Sequence, residues 1–388
     1  MQVQKIDLFR LDCADTLCPV GCRVYTDTGL FGDGEAALGY GRGSFAALGA
    51  LRDLAPLVLK AGPLAHEQVW ERLYRHSFWA QNGGPAVFAA ISAIDMALWD
   101  IRGKYFGVPV WQLLGGVKRP LRAYASQLQT GWKSHRQSAR TPQQYAENAL
   151  AALEDGYTAL KIDFLEIAPD GGLFDRRALH GPLSRSVVRL FYDRVAAVRR
   201  AVGEEIDLII ENHGNTDTPA AVQLAQAVRE LGIWFLEEGN TPTPQLLRQL
   251  HAGAGLPIAH GERIYTRWQY ATYLADGSIQ IIQPDIGTAG GITEVKKICD
   301  MAATSDVAVQ LHVCGTGLST AAALQLEAAL PNFLVHEHHI LQERPQNRAL
   351  TLHPASPVQG AFLPPDRPGL GDSWSPLAMA DGLHYTVQ

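Results

Sequence analysis

Glu211, Glu237, Glu262, Asp285, His312 and Glu337 each follow a short apolar run, and they stand 23 to 27 residues apart. Carboxylates that converge without a basic partner need a cation to offset their charge. Glu211, Glu237 and Glu262 fall in consecutive intervals with no cysteine or histidine in the trio. Such a set of hard oxygen donors suits Mg²⁺, whose octahedral shell keeps positions for water or substrate. His312 and Asp285 point to different chemistry. A carboxylate on one imidazole nitrogen fixes the tautomer and strengthens the other nitrogen as a general base. One strand-end acid ordinarily caps the next helix, and one histidine is ordinarily structural. Recurrence of the acids and pairing of the histidine are what favour a site.

An interval of about 25 residues holds one strand, one helix and two loops, since crossover units run to about 30. The period therefore predicts an α/β fold whose parallel strands close into a barrel, with the polar residues around one mouth. Eight strands are expected at 122–126, 159–163, 207–212, 234–237, 258–261, 278–284, 308–312 and 333–335, with helices between most of them, among them 142–155, 186–202, 219–231 and 291–305. An open doubly wound sheet would want a Gly-rich phosphate turn after an early strand, and no GxGxxG follows any strand. Residues 166–182 (EIAPDGGLFDRRALHGP) fit neither template and read as an inserted active-site loop.

Before the repeat lies a different unit. Alternation over 3–11 and the run at 22–27 read as strands, 39–43 as a loop, and 45–59, 67–79 and 86–106 as helices. Three segments follow: an α+β unit at 1–118, the barrel at 119–355, and a Pro- and Gly-rich segment at 356–388 that returns to the first unit.

Further polar residues cluster on the same strand ends. His213 lies two residues after Glu211, so an extended strand would point both at the mouth, with His213 across from His312. Lys161 and Asp163 share that spacing on the second strand, with a strand-end ion pair as the plain alternative. Glu238 adjoins Glu237 and should face the other way, supporting a ligand instead of being one. His336, His338 and His339 surround Glu337, and histidines in a turn are commonly solvent-facing.

The 388 residues are 47% hydrophobic and 19% charged, the balance of a soluble protein with a large core. A net charge of −6 without a Lys/Arg block argues against nucleic-acid and membrane partners. No apolar run approaches the roughly 18 residues of a membrane span, and the first ten residues do not read as a signal peptide. Five cysteines without a CxxC pair read as reduced thiols: Cys13, Cys18 and Cys22 grouped near the start, Cys299 and Cys314 as small core residues. A cytoplasmic protein is expected.

Residues 92–104 (SAIDMALWDIRGK), 235–239 (FLEEG), 261–263 (GER), 283–285 (QPD) and 290–292 (GGI) carry a resemblance that covers nearly the whole chain. In order and spacing they resemble the mandelate racemase and muconate lactonizing branch of the enolase superfamily. The resemblance implies a modified TIM barrel, (β/α)₇β, under an α+β capping domain. It also implies one Mg²⁺ on Glu211, Glu237 and Glu262, a His312–Asp285 base, and a symmetric homo-oligomer. Glu211 stands where the family's usual first ligand is Asp, one methylene shorter. Racemases of the branch carry Lys-x-Lys on the second strand, whereas this chain reads Lys161-Ile162-Asp163. A histidine placed like His213 is similar to the acid-sugar dehydratases of the galactonate and mannonate type. A dehydratase acting on an aldonate or aldarate is therefore expected: His312 as base, His213 as acid for the departing hydroxyl, and Lys161 with a protonated Glu337 against the substrate carboxylate. Asp163, Glu238 and Arg263 are expected near the substrate. A racemase, epimerase or cycloisomerase with His213 and His312 as opposed bases is the alternative.

Overall fold

The computed structural model describes residues 1–12, 17–133 and 138–388. The N-terminal unit is an antiparallel meander, β1 (Val3–Arg10), β2 (Val20–Thr26) and β3 (Phe31–Ala36), followed by α1 (Ser44–Leu54), α2 (His66–His76) and α3 (Pro85–Phe106). Helix α3 is apolar nearly all round, as a helix buried on every side must be. It lies directly on β3 because two glycines leave room. A Cβ on Gly34 would stand 1.8 Å from the Ala93 carbonyl oxygen, and one on Gly32 would stand 2.0 Å from that of Ala97.

A single helical turn, α4 (Val110–Leu113), leads into eight parallel strands: β4 (Leu121–Ser126), β5 (Ala159–Asp163), β6 (Asp207–Glu211), β7 (Ile233–Glu237), β8 (Ile258–His260), β9 (Ile281–Ile282), β10 (Ala308–Val309) and β11 (His336–His339). They pair in chain order from β4 to β10, and β11 pairs with β4. The ring closes where Val309 bridges Phe333, with Val309 N donating to Asn332 O at 2.9 Å and Leu334 N to Val309 O at 2.8 Å. Seven of the strands are followed by helices: α5 (Pro142–Glu154), α6 (Arg185–Val202), α7 (Thr218–Val228), α8 (Pro244–Ala254), α9 (Thr266–Leu274), α10 (Gly291–Ala303) and α11 (Gly317–Glu327). The eighth has only short turns after it, so the barrel is (β/α)₇β. Thr141, Ser184, Asp217, Thr243 and Thr316 cap five of these helices by accepting from a backbone N–H of the first turn.

The eighth strand differs from its expected place at 333–335. Those residues only close the ring, and the ladder runs on through His336–His339. Its histidines, expected to face solvent, are buried. Each finds a partner: His336 Nδ1 lies 2.8 Å from Glu327 Oε2, His338 bonds Tyr157 and, at 3.0 Å, Glu343, and His339 Nδ1 accepts from Leu341 N at 3.1 Å. The sixth and seventh strands are shorter than expected, at Ile281–Ile282 and Ala308–Val309.

Period-two alternation makes the floor of the barrel. Tyr124, Ala159, Ile209, Phe235, Ala259, Ile281 and Val335 point inward and form one buried cluster. Two residues on, the same face carries Lys161, Glu211, Glu237 and Glu337. After the barrel, β12 (Ala361–Phe362) adds to β4, and β13 (Leu383–Val387) pairs antiparallel with β1, from Ile6 opposite Val387 to Arg10 opposite Leu383. No helix among the described residues is long and apolar enough to cross a membrane.

Of the grouped cysteines, Cys13 lies outside the described residues, while Cys18 and Cys22 are free and unpaired with each other. Cys299 and Cys314 are both buried, as expected, and Cys314 also lines the mouth cavity.

Gly34→Ala is expected to lower stability by about 1–3 kcal/mol, because backbone atoms of α3 cannot yield to the new methyl group. Gly49→Ala, in α1 with nothing within 4 Å of the added carbon, should leave the thermal midpoint unchanged or raise it. Thermal denaturation of the two variants beside wild type checks this.

Candidate active site

Lys161 sits at the centre of the barrel mouth, buried, with its Nζ 3.0 Å from Glu211 Oε2, 2.8 Å from Glu337 Oε1 and also bonded to Glu237 Oε1. It is not paired with Asp163, the plain expectation for that spacing. Burial by itself would lower its pKa, but Glu237, Glu337 and Glu211 around it hold the ammonium well above its usual range. The same contact works on the acids. Burial raises Glu337, and Lys161, His312 and His339 together more than offset it, so the carboxyl is held at about 2. Glu337 is thus ionised, contrary to the protonated form expected. Ser126 Oγ donates to its Oε1 at 3.0 Å and Val313 N to its Oε2 at 3.0 Å. Glu237 moves the other way. Burial and the adjoining Glu211 push it well up, and its Oε2 has no hydrogen-bond partner among the described residues.

Two histidine–aspartate pairs flank this centre. His312 Nδ1 lies 2.7 Å from Asp285 Oδ2, and His213 Nδ1 lies 2.8 Å from Asp163 Oδ2. They share one local construction. In each, the carboxylate stands at or just past the end of one strand and the imidazole just past the end of the next strand in the ring. In each, the second carboxylate oxygen accepts from the backbone N–H two residues on: Leu165 N to Asp163 Oδ1 at 2.9 Å, Gly287 N to Asp285 Oδ1 at 2.6 Å. That turn fixes the carboxylate, and the carboxylate fixes the ring with Nε2 toward the mouth, where Glu262 stands 3.1 Å from that of His312 and Gln127 3.3 Å from that of His213. Asp163, expected beside the substrate, is instead buried behind His213. His213 does not prolong the strand. The ladder ends at Glu211, and His213 takes a left-handed φ of 49° while its N–H donates to Glu211 Oε1 at 2.8 Å. Burial would lower both imidazoles, but Glu211 and Asp163 raise His213 to about 10, and Glu262 and Asp285 raise His312 to about 10.

Glu262 Oε2 lies 3.1 Å from His312 Nε2, and its Oε1 lies 2.7 Å from Arg263 Nη2. Glu238, also expected near substrate, is fully buried. Its carboxylate holds Arg263 Nη1, lies 2.7 Å from His260 Nδ1 and accepts from Gly261 N at 3.1 Å. It positions Arg263, which does reach the cavity.

The mouth encloses about 360 Å³, lined by Lys161, Glu211, His213, Glu262, Arg263, Asp285, His312 and Glu337. The structure thus brings together all the candidate residues except Glu237, Glu238 and Asp163, which stand behind them. Glu211, Glu237 and Glu262 do not stand as one ligand cluster. Among the described residues no group of three or more His, Cys, Asp or Glu side chains is arranged to hold a metal ion. Lys161 draws two of the acids and His312 and Arg263 draw the third. Their chemistry still fits a hard divalent cation. All the donors are carboxylate oxygens, three buried carboxylates share one ammonium, and Glu237 Oε2 is left without a partner.

Tyr40, Gln127, Tyr265, Thr288, Cys314 and His339 also line the cavity and had no role in the sequence reading. His339 had a readable signal, since it stands two residues beyond Glu337 on one strand. Tyr40 belongs to the loop expected at 39–43, which reaches the mouth from the N-terminal unit.

Comparison with known proteins agrees with this geometry. Residues 14–115 match the profile of the mandelate racemase / muconate lactonizing enzyme N-terminal domain, and residues 144–378 match that of the enolase C-terminal domain-like family. The sequence is 32% identical over 383 residues to a D-galactonate dehydratase of Pectobacterium atrosepticum, covering 96% of this chain and 91% of the relative. It is 32% identical over 323 residues to a D-xylonate dehydratase of Haloferax volcanii, covering 82% and 74%. A crystal structure of a member of the enolase superfamily from Salmonella Typhimurium superimposes with a TM-score of 0.97 at 42% identity, covering all of both chains. The chain belongs to the mandelate racemase and muconate lactonizing enzyme family of the enolase superfamily.

Lys161→Met leaves Glu211, Glu237 and Glu337 without their shared cation. A loss of about 3–5 kcal/mol is expected at pH 8 in EDTA. Without the lysine the buried carboxyls titrate above their unfolded value, so the variant regains stability as the pH falls toward 5. Wild type loses the contribution of Glu337 only below its unfolded value near 4.5, down to about 2. The gap between the two should therefore narrow from pH 8 to pH 5 in denaturant titrations.

Proposed function

We propose that this protein is a Mg²⁺-dependent hydro-lyase that dehydrates a sugar acid to a 2-keto-3-deoxy acid. The observation that carries the reading is the pair of histidines, each on its own buried aspartate, lining one cavity beside Lys161. A β-elimination needs a base for the α-proton and a separate acid for the hydroxyl, and the two pairs supply one each. Relatives named D-galactonate and D-xylonate dehydratase support the same class.

His312 is the base. Asp285 holds its Nδ1, and Glu262, 3.1 Å from its Nε2, helps keep the ring charged; with Glu262 turned to Mg²⁺, the imidazole would give its Nε2 proton to solvent, and the free Nε2 takes the proton α to the substrate carboxylate. The electrons of the C–H bond form the carbon–carbon double bond as the β carbon–oxygen bond breaks. His213, its Nδ1 held by Asp163, gives its Nε2 proton to the hydroxyl, which leaves as water. The enol tautomerises to the keto acid. Lys161 sets a positive charge where negative charge builds on the substrate carboxylate, and the ionised Glu337 keeps that ammonium in place. Asp285 and Asp163 orient the two rings, and Glu238 orients Arg263. Glu211, Glu237 and Glu262 would hold Mg²⁺, which supplies Lewis-acid stabilisation of the developing carboxylate charge. Glu237→Gln and Glu262→Gln should each abolish keto-acid formation with the circular dichroism spectrum unchanged, and EDTA should abolish that of wild type until Mg²⁺ is restored.

His213→Asn should keep part of the exchange of the α-proton with deuterated solvent while keto-acid formation is lost. His312→Asn should lose both. A β-fluoro substrate, whose leaving group needs less protonation, should partly restore elimination to His213→Asn. An epimerase would instead give no semicarbazide-reactive product from any hexonate, pentonate or aldarate, and that result would remove the dehydratase reading.

A further inference from the structure

The inserted stretch after β5 does not enter the chemistry above, yet it walls a second cavity. This annex holds about 660 Å³ and shares Tyr40, His213 and Arg263 with the catalytic cavity. His213 stands at the junction. If it protonates the hydroxyl on the β-carbon, the carbons beyond that one pass His213 and enter the annex. What the annex offers them is decided by its charges. Arg263 is already engaged, with Nη1 on Glu238 and Nη2 on Glu262. Glu166 is pinned by Gln129 Nε2, and burial with Asp163 beside it pushes its carboxyl up, toward neutrality. Arg176 is different. Its neighbour Arg177 pairs with Asp175 at 3.3 Å, but Arg176 itself lines the annex and makes no hydrogen bond or ion pair among the described residues. A guanidinium without a partner on the wall of a cavity that adjoins the catalytic one is a fork for a planar anion.

We propose that the annex seats a second carboxylate at the far end of the substrate, anchored by Arg176, so that the acid this enzyme takes is a dicarboxylate of the aldarate type. The inference rests on the dehydratase reading for the direction in which the substrate runs past His213. A monoacid ends in a neutral hydroxymethyl group, which gains little from a cation already exposed to water. A diacid gains a charge-assisted, bidentate contact there.

The test compares hexarate and hexonate diastereomers, with Mg²⁺ present, in two measurements: keto-acid formation and calorimetric binding. Wild type should favour a diacid. Arg176→Met, which keeps the length of the side chain and removes its charge, should lower the ratio of diacid to monoacid kcat/KM roughly 10- to 150-fold, the size of a hydrogen bond to a charged group. Arg176→Lys should recover part of the ratio, as a point charge without the fork. Turnover confined to monoacids, or a ratio that Arg176→Met does not move, would overturn the annex and leave the dehydratase standing. If no acid yields a keto acid, calorimetry decides alone. Hexarate binding weakened in Arg176→Met would support the annex while the dehydratase reading falls, and unchanged binding would overturn both.

Discussion

One buried ammonium organises the active-site end of this protein. Lys161 is the only cation that Glu211, Glu237 and Glu337 share among the described residues, and none of the four is more than slightly exposed. Beneath them lies a floor of apolar and small side chains from the same strands. In such surroundings an uncompensated charge costs several kcal/mol, so the four side chains hold one another in place more firmly than any of them is held by packing. One ammonium cannot balance three carboxylates. The orphaned Glu237 oxygen and its raised affinity for a proton are the visible result.

The two histidine–aspartate pairs are a solution to a different problem, that of aiming an imidazole from the end of a strand. A histidine at such a position has free rotation about two bonds. Each pair removes that freedom with an aspartate from the preceding strand, itself locked by a backbone N–H two residues on. The parallel ladder repeats the same neighbour relation around the ring, so the device can be built twice, at β5–β6 and at β9–β10, facing one cavity.

The N-terminal unit is fastened to the barrel by capping its helices. Glu35 accepts from Thr316 N and Ser319 N at the start of α11, and Ser92 and Asp95 accept from the backbone of Gly290, Gly291 and Thr293 at the start of α10. The orphan N–H groups of two barrel helices are thus satisfied from outside the barrel, and negative charge is placed where the helix dipole favours it. This fastening also sets the cover of the mouth. Ala37 N donates to Gly287 O at 3.0 Å, two residues from Asp285, and Tyr40 follows at the rim of both cavities.

The sequence by itself determined the barrel, because its signal is local and repeated: an apolar run, a polar residue, a helix, at a nearly constant interval. It determined which polar residues meet at the barrel mouth for the same reason, since a strand end fixes which mouth a side chain faces. The fourth strand is an example, with Glu237 at its end as expected. Only the tertiary structure decided the partners. Lys161 and Asp163 share a strand and both lie beside β6, yet Lys161 reaches into the centre of the ring, where Glu237 and Glu337 arrive from strands not adjacent to its own, while Asp163 meets the histidine just past the end of β6. Glu238 was readable as facing away from Glu237, but its tie to Arg263 was not, since that arginine comes from the next unit of the barrel. The eighth strand was misplaced because its histidines look like a polar turn, and they are buried only because Glu327, Glu343 and Tyr157 wait on other elements to receive them. Spacing along a chain fixes the direction of a side chain, but its contacts depend on which segments the closed ring sets side by side.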